Sequence, residues 1–222
     1  DVTATGGEGN DRIDFSAGFD KDDSFDGGDG EDTIALINAT ATTTPAGSLS
    51  NVEGLAVTKG GSGTIDMDNF SGVTSVTYEA GLNGPTTVDD AQSGITVDVA
   101  ADPTDPFGAG NQNLKVDLAT DGSDDEITVN LDGHNFGPTG GQVGALDVDD
   151  AETLNLNVEE IAPTKGVANA LDDGTLTIGN LIAGDATTIN IDSTADLTLK
   201  ASTTNNIGGS TLDASASTGD LK

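Results

Sequence analysis

Between residues 95 and 199, large apolar residues recur at every second position in short runs. Ile95, Val97 and Val99 fall on one side of such a run, with Thr96 and Asp98 on the other. Leu114, Val116 and Leu118 repeat the pattern, as do Ile127, Val129 and Leu131, then Leu154, Leu156 and Val158. Leu176 with Ile178, Ile189 with Ile191 and Leu197 with Leu199 continue it. Side chains of an extended chain alternate between faces, so the pattern predicts strands with one buried face. Gly, Asp, Asn or Pro break the runs about every 8 to 12 residues, the rhythm of a sandwich, barrel or solenoid. No segment carries helical periodicity over three turns; Glu159 to Leu171 is where a short helix or long loop is expected. Thr40 to Gly47 reads as a linker.

The strand pattern repeats. Asn51-Val52-Glu53-Gly54-Leu55-Ala56-Val57-Thr58 resembles Asp150-Ala151-Glu152-Thr153-Leu154-Asn155-Leu156-Asn157. Gly63 to Met67 resembles Gly174 to Ile178, and Thr74 to Tyr78 resembles Thr187 to Ile191. The offset grows from 99 to 113 residues, which places insertions in the loops of the second copy. Repeated all-β units point to a stacked or modular architecture. The expected organisation is a calcium-binding segment at 1–39, a first β-repeat module at 49–149 and an incomplete second one at 150–222. The chain opens at Asp1 without an initiating methionine, and a piece of a longer polypeptide is expected.

The first 35 residues have a different texture, dense in Gly and Asp. Gly6-Gly7-Glu8-Gly9-Asn10-Asp11-Arg12-Ile13-Asp14 fits the pattern G-G-x-G-x-D-x-U-x, in which U is large and apolar; Gly27 to Ala35 fits it again, with Ile34 at U. This is the calcium-binding nonapeptide of the parallel β-roll. Glycines let the backbone turn tightly so that carbonyl oxygens converge. The Asp adds a charged oxygen, and the apolar residue two places on starts a strand. One turn supplies half a cage, which a second turn stacked above it completes. The two motifs start 21 residues apart, against 18 for a pair of nonapeptides. Three extra residues are expected in a degenerate middle turn, Ala17 to Asp23. The candidate ligands are Asp11 and Asp32, with the carbonyls of Gly7, Gly9, Gly28 and Gly30. Asp22 to Gly27 also fits the opening half of an EF-hand-like loop, but its twelfth position is Thr33, where a bidentate Glu is needed. Asp20, Asp22, Asp23 and Asp26 are therefore placed as further ligands around the roll, or as a solvated charged face.

Composition sharpens this picture. Seven basic residues face 39 acidic ones, a net charge of -32. Nucleic acid and anionic membrane surfaces are excluded as partners, since both need clustered Lys and Arg. The acids are 31 Asp and only 8 Glu, a skew towards turns and caps rather than helices. Thirty Thr favour strands, 31 Gly favour turns, and the absence of Cys leaves no disulfide staple. Self-repulsion at this charge opposes compactness unless cations neutralise it. Halophilic or solubility adaptation would also explain the charge, but not its concentration in glycine-containing turns. No apolar run approaches the ~20 residues of a membrane helix.

Residues 6–35 resemble an RTX (repeats-in-toxin) calcium β-roll. Residues 49–222 resemble the strand-rich repeats of bacterial S-layer and related type I-secreted surface proteins. The latter likeness is carried by Asn51 to Leu55, Asp124 to Leu131, Asp149 to Leu156 and Leu212 to Gly219. The resemblance implies calcium as cofactor, export from the cell, folding outside it and assembly of copies into a lattice or filament at the cell surface. Cell-surface polysaccharide is a further candidate partner. The implied fold is all-β: short RTX-like β-roll turns followed by repeated β-solenoid or β-sandwich-like modules.

Hydrolytic triads need a His beside a nucleophile. The single His, His134, lies in Asp132-Gly133-His134-Asn135-Phe136-Gly137 and is expected in a loop. No G-x-S-x-G or H-E-x-x-H occurs, and 3% aromatic residues leave few platforms for sugar rings. A structural, non-catalytic role is expected. Two rivals stay open: a binding module of a secreted adhesin, and a non-catalytic part of an exported enzyme.

Overall fold

The computed structural model describes residues 2–15, 19–37, 47–100, 112–134, 141–148, 150–161, 175–200, 207 and 209–222. The fold is all-β. Among the described residues, nineteen strands form three sheets, and every pairing between them is parallel. The chain alternates between sheets. A nine-stranded sheet contains β2 (Arg12–Phe15), β4 (Thr33–Leu36), β6 (Gly54–Val57), β8 (Ser75–Tyr78), β10 (Ile95–Val99), β12 (Glu126–His134), β14 (Thr153–Ile161), β17 (Thr188–Ser193) and β19 (Thr211–Asp213), neighbours in that order. The intervening strands form the other two sheets. β1 (Thr3–Glu8), β3 (Ser24–Asp29) and β5 (Ser48–Ser50) make a three-stranded one. β7 (Gly61–Asp66), β9 (Leu82–Ala91), β11 (Gln112–Leu118), β13 (Gly141–Asp147), β15 (Thr175–Ile178) and β18 (Asp196–Leu199) continue in a seven-stranded one, with β16 (Leu181–Ile182) beside β13.

The register explains the alternation read from the sequence. Along the nine-stranded sheet, Ile13, Ile34, Leu55, Val76, Val97, Val129, Leu156 and Ile191 stand in one column. All but the partly buried Ile13 are fully buried members of one apolar cluster running from Phe15 to Leu197. The adjacent column on the opposite face is Asp14, Ala35, Ala56, Thr77, Asp98, Asn130, Asn157 and Asp192. Burying each apolar column removes its side chains from water, worth roughly 1.5–3 kcal/mol per residue.

The first steps of the sheet are uniform. Arg12 pairs with Thr33, Thr33 with Gly54, Gly54 with Ser75 and Ser75 with Thr96, 21 residues each time. The spacing of the two glycine motifs is thus the period of the next strands as well. Beyond β10 the steps lengthen: Ile95 pairs with Ile127, Glu126 with Thr153 and Thr153 with Thr188. The repeat seen in the sequence has a main-chain counterpart. The Glu53 carbonyl accepts the Thr74 and Ser75 N–H groups, and the Glu152 carbonyl those of Thr187 and Thr188. Following ladder partners brings Gly54 to Asn155, two residues past the sequence match at Thr153; an even shift leaves every side chain on its own face.

Two details depart from expectation. His134 is the last residue of β12, so its backbone belongs to a strand rather than a loop. Glu159 to Ile161 extend β14, while 162–171 of the expected helix or loop lie outside the described residues, as do 40–46 of the linker and 17–18 of the middle turn. The helical element among the described residues is one 3-10 turn, Met67–Asn69, capped by the Asp66 side chain. The nine-stranded sheet draws strands from all three of the segments expected as separate units.

Candidate metal centre

The two nonapeptides stack on each other. Parallel pairing of β1 with β3 sets Gly7 against Gly28 and Glu8 against Asp29, and pairing of β2 with β4 sets Arg12 against Thr33. Each motif closes the end of one strand and turns into the next, from Gly6 in β1 to Asp11 and from Gly27 in β3 to Asp32. Gly9, Gly28 and Gly30 adopt φ of 101°, 102° and 144°, a region closed to most side chains. The stacking is tight: a Cβ on Gly28 would stand 2.4 Å from the Gly7 carbonyl oxygen, and one on Gly30 2.5 Å from that of Gly9. Gly9 N–H donates to the Asp29 carbonyl at 2.6 Å, and Thr33 N–H to that of Asp11 at 2.8 Å.

The motif aspartates line one corner. Asp11 N–H donates to Asp32 Oδ1 at 2.7 Å, and Asp32 N–H donates to Glu53 Oε2 at 3.0 Å. Asp11 Oδ2 accepts the Gly7 N–H at 2.8 Å. Asp32 is wholly buried, and its Oδ2 has no hydrogen-bond partner. Around the position of a Cβ on Gly6 lie the Gly27 carbonyl oxygen at 2.1 Å and Asp11 Oδ2 at 2.6 Å. Around that of Gly27 lie the Asn51 carbonyl oxygen at 2.0 Å and Asp32 Oδ2 at 2.3 Å. Carboxylate and carbonyl oxygens thus converge on the first glycine of each motif, in cradles that any side chain would fill. Hard oxygen donors of this kind, one of them a buried anion without a partner, fit calcium. Asp11 and Asp32, with the carbonyls of these turns, would hold it, and the ion would neutralise charge the chain cannot.

The other predicted ligands are placed differently. Asp20 and Asp22 sit on the turn leading into β3, separated from the second glycine turn by Ser24 to Asp26, roughly 10 Å of strand. Asp20 Oδ1 accepts the Asp22 N–H at 2.9 Å. The Asp20 and Val2 N–H groups, bonded to Asp23, hold its carboxyl below the ordinary carboxylate range. Asp20 and Asp23 thus act as turn acceptors, and the Asp22 carboxylate is paired with Lys21. Asp26, inside β3, accepts the Asn51 amide on Oδ1 at 2.8 Å and so reaches the corner through Asn51.

The chain's one Arg does not neutralise the corner. Arg12 binds Asp14 and, through both terminal nitrogens, Glu79 at the end of β8. It reaches Glu79 across β4 and β6, where Ala35 and Ala56 keep the sheet surface low.

Sequence reasoning missed Glu53 and Asn51. The available signal was the 21-residue step from Asp11 to Asp32 to Glu53. It also missed a second acidic group. Asp66, Asp68 and Asp90 bring carboxylate oxygens within 4.8 Å of one another. Asp90 sits at φ 55° in a bulge where β9 passes β11. Desolvation, then the charges of Asp89, Asp68, Asp66 and Asp117, push its carboxyl above the ordinary range.

No family model, curated protein or solved structure matches this chain.

Proposed function

We propose that this chain is a calcium-stabilised, non-catalytic module of a bacterial cell-surface layer or extracellular filament. In this reading the alternating parallel sheets wind as a β-solenoid that opens with two RTX-like turns and assembles with copies of itself outside the cell. The observation that carries it is the stacked pair of glycine turns with the buried, unpartnered Asp32 oxygen between parallel strands. β-sandwiches are built from antiparallel sheets, whereas every pairing here is parallel.

Self-association follows from the same ladder. Among the described strands, β2 and β19 are the edges of the nine-stranded sheet, and edge strands present unpaired main-chain groups. Continuing the register from β19 of one copy to β2 of the next sets Asp213 opposite Arg12. Such a contact is head-to-tail and builds open arrays rather than closed dimers. At a net charge of -32, copies repel in monovalent salt; divalent ions binding the acids lower that barrier.

Light scattering and electron microscopy at millimolar calcium, with magnesium and chelator controls, test this. Ordered polymers in calcium alone are expected. A protein that stays monomeric at high concentration in calcium defeats the structural reading and leaves the adhesin in its place.

A further inference from the structure

We propose a second calcium position, between the second glycine turn and the turn that follows it, held by Asp32, Glu53 and the main-chain carbonyl of Asn51. It rests on the calcium reading above and extends it, because neither Asn51 nor Glu53 belongs to a nonapeptide.

The two oxygens of Asp32 face different neighbours. Oδ1 accepts the Asp11 N–H and so looks back to the first turn. Oδ2 is buried, without a hydrogen-bond partner, and it converges with the Asn51 carbonyl oxygen on the same point beside Gly27. The first turn has the same arrangement one step earlier, but there Asp11 Oδ2 already accepts the Gly7 N–H. The oxygen left open is therefore in the second interval. A buried carboxylate oxygen without a partner is costly, and a cation seated beside it would offset that cost. Arg12 lines the same groove, but Asp14 and Glu79 hold its guanidinium.

The third turn is built to meet Asp32. Ladder partners are 24 residues apart before it, Asp26 with Ser50, and 21 apart after it, Thr33 with Gly54. It is thus three residues shorter than the glycine turn beneath and cannot repeat the nonapeptide. Asn51 takes the left-handed region at φ 51°, and its side-chain amide is tied to Asp26 Oδ1 at 2.8 Å; this holds its carbonyl over Gly27. Glu53 keeps its carboxylate beside Asp32 by accepting the Asp32 N–H on Oε2. Two carboxylates and a carbonyl make a donor set suited to calcium. A groove of about 540 Å³, lined by Asp11, Asp32 and Glu53 among others, opens the corner to solvent.

Calcium titration calorimetry on the whole chain, with terbium luminescence as a second probe, tests the assignment. Glu53→Gln keeps an oxygen for the Asp32 N–H and removes the charge. It is expected to lose one bound calcium, or to weaken one binding step at least about tenfold. Asp32→Asn, which touches both turns, should lose this step and weaken the other; Asp11→Asn should lose only the other, and the Asp11→Asn/Glu53→Gln pair both. Retained amide protection of β6 and β8 in calcium shows that each variant is folded. If Asp11→Asn and Asp32→Asn each lose binding while Glu53→Gln titrates like the parent, this second position is overturned and the calcium reading survives. A parent chain that binds no calcium overturns both.

Discussion

Replacing Gly27 with alanine places one methyl group where the turns touch. Its Cβ would stand 2.0 Å from the Asn51 carbonyl oxygen, 2.3 Å from Asp32 Oδ2 and 2.5 Å from Asp32 Cβ. Ordinary contact begins at 3.4 Å, so each overlap is close to 1 Å or more. The first is backbone and the third a Cβ; only Asp32 Oδ2 is a side-chain tip, and it is buried. Asn51 is held by Asp26, and Asp32 by the Asp11 N–H. Relief requires separating strands, and overpacking of this kind costs roughly 3 kcal/mol or more. For a chain of this length that is a fall of about 6–12 °C in Tm. Gly7→Ala is the control. Nothing lies within 4 Å of its Cβ position, and its φ is outside the left-handed region, so a change within about 0.5 kcal/mol is expected. Both variants keep their carbonyls. Thermal denaturation in saturating calcium, with hydrogen exchange read at β3 and β4 amides, separates a local opening from a global one. A Gly27→Ala chain as stable as Gly7→Ala would refute the stacked-turn geometry.

Other consequences are open to measurement. Leu156→Ala, in the fully buried column between Val129 and Ile191, should cost about 2–5 kcal/mol by urea denaturation; Asn157→Ala next to it loses one exposed amide bond to Asn130 and should cost about 1 kcal/mol or less. Asp90, with its native pKa raised, binds its proton more tightly folded than unfolded. Stability therefore falls as pH rises from the ordinary Asp value through the raised one. Asp90→Asn removes that loss and tolerates the left-handed backbone, so its advantage over the parent should grow across this window in monovalent salt; a constant difference from about pH 3 to 7 would contradict it. Chelation should abolish amide protection in residues 2–36, where like charges crowd turns with few large apolar side chains, while β10 to β17 keep most of theirs; equal protection with and without chelator would sink this.

How much of this was legible depends on what each signal encodes. The alternating runs at 95–99, 114–118, 127–131 and 154–158 put every apolar residue named for them in the core. Period two says which face is buried but not which way a neighbour runs, so parallel pairing could not be read from it. The uniform step was hidden after Asp32, because the corner residue changes from Asp to Glu53 and then Thr74 while the glycines disappear. β4 and β6 hid for a related reason. Ala35 and Ala56 are buried on the face where other strands carry polar groups, so these strands read as short apolar runs rather than alternations. Asp11 and Asp32 were legible as a pair, since one motif occurs twice. Asn51 contributes a carbonyl through its backbone conformation and so leaves no chemical trace at its position. The Asp66, Asp68 and Asp90 group is assembled across a register step and a bulge, neither visible locally.

The sheets carry two kinds of polar seam, and their distribution marks where a bound cation would matter. Towards the N-terminus the corner between successive strands is closed by acids: Asp11, Asp32 and Glu53 each stand on the next, joined by main-chain N–H donors but with no basic side chain among them. Towards the C-terminus the outer face of the nine-stranded sheet is joined by amides. Asn130 donates to Asp98, Asn157 to Asn130 at 2.8 Å, and Asn190 to Asn155 at 2.8 Å. An amide carries both donor and acceptor, so an Asn column closes on itself without an ion. A carboxylate column carries acceptors alone; each added acid increases repulsion until a cation enters. The carboxylate seam is therefore conditional on the medium and the amide seam is not. On the calcium reading proposed above, the amide-seamed strands would order without an ion and the acid corner would set last, which would confine the ion-dependent step to the end where β2 is the sheet edge.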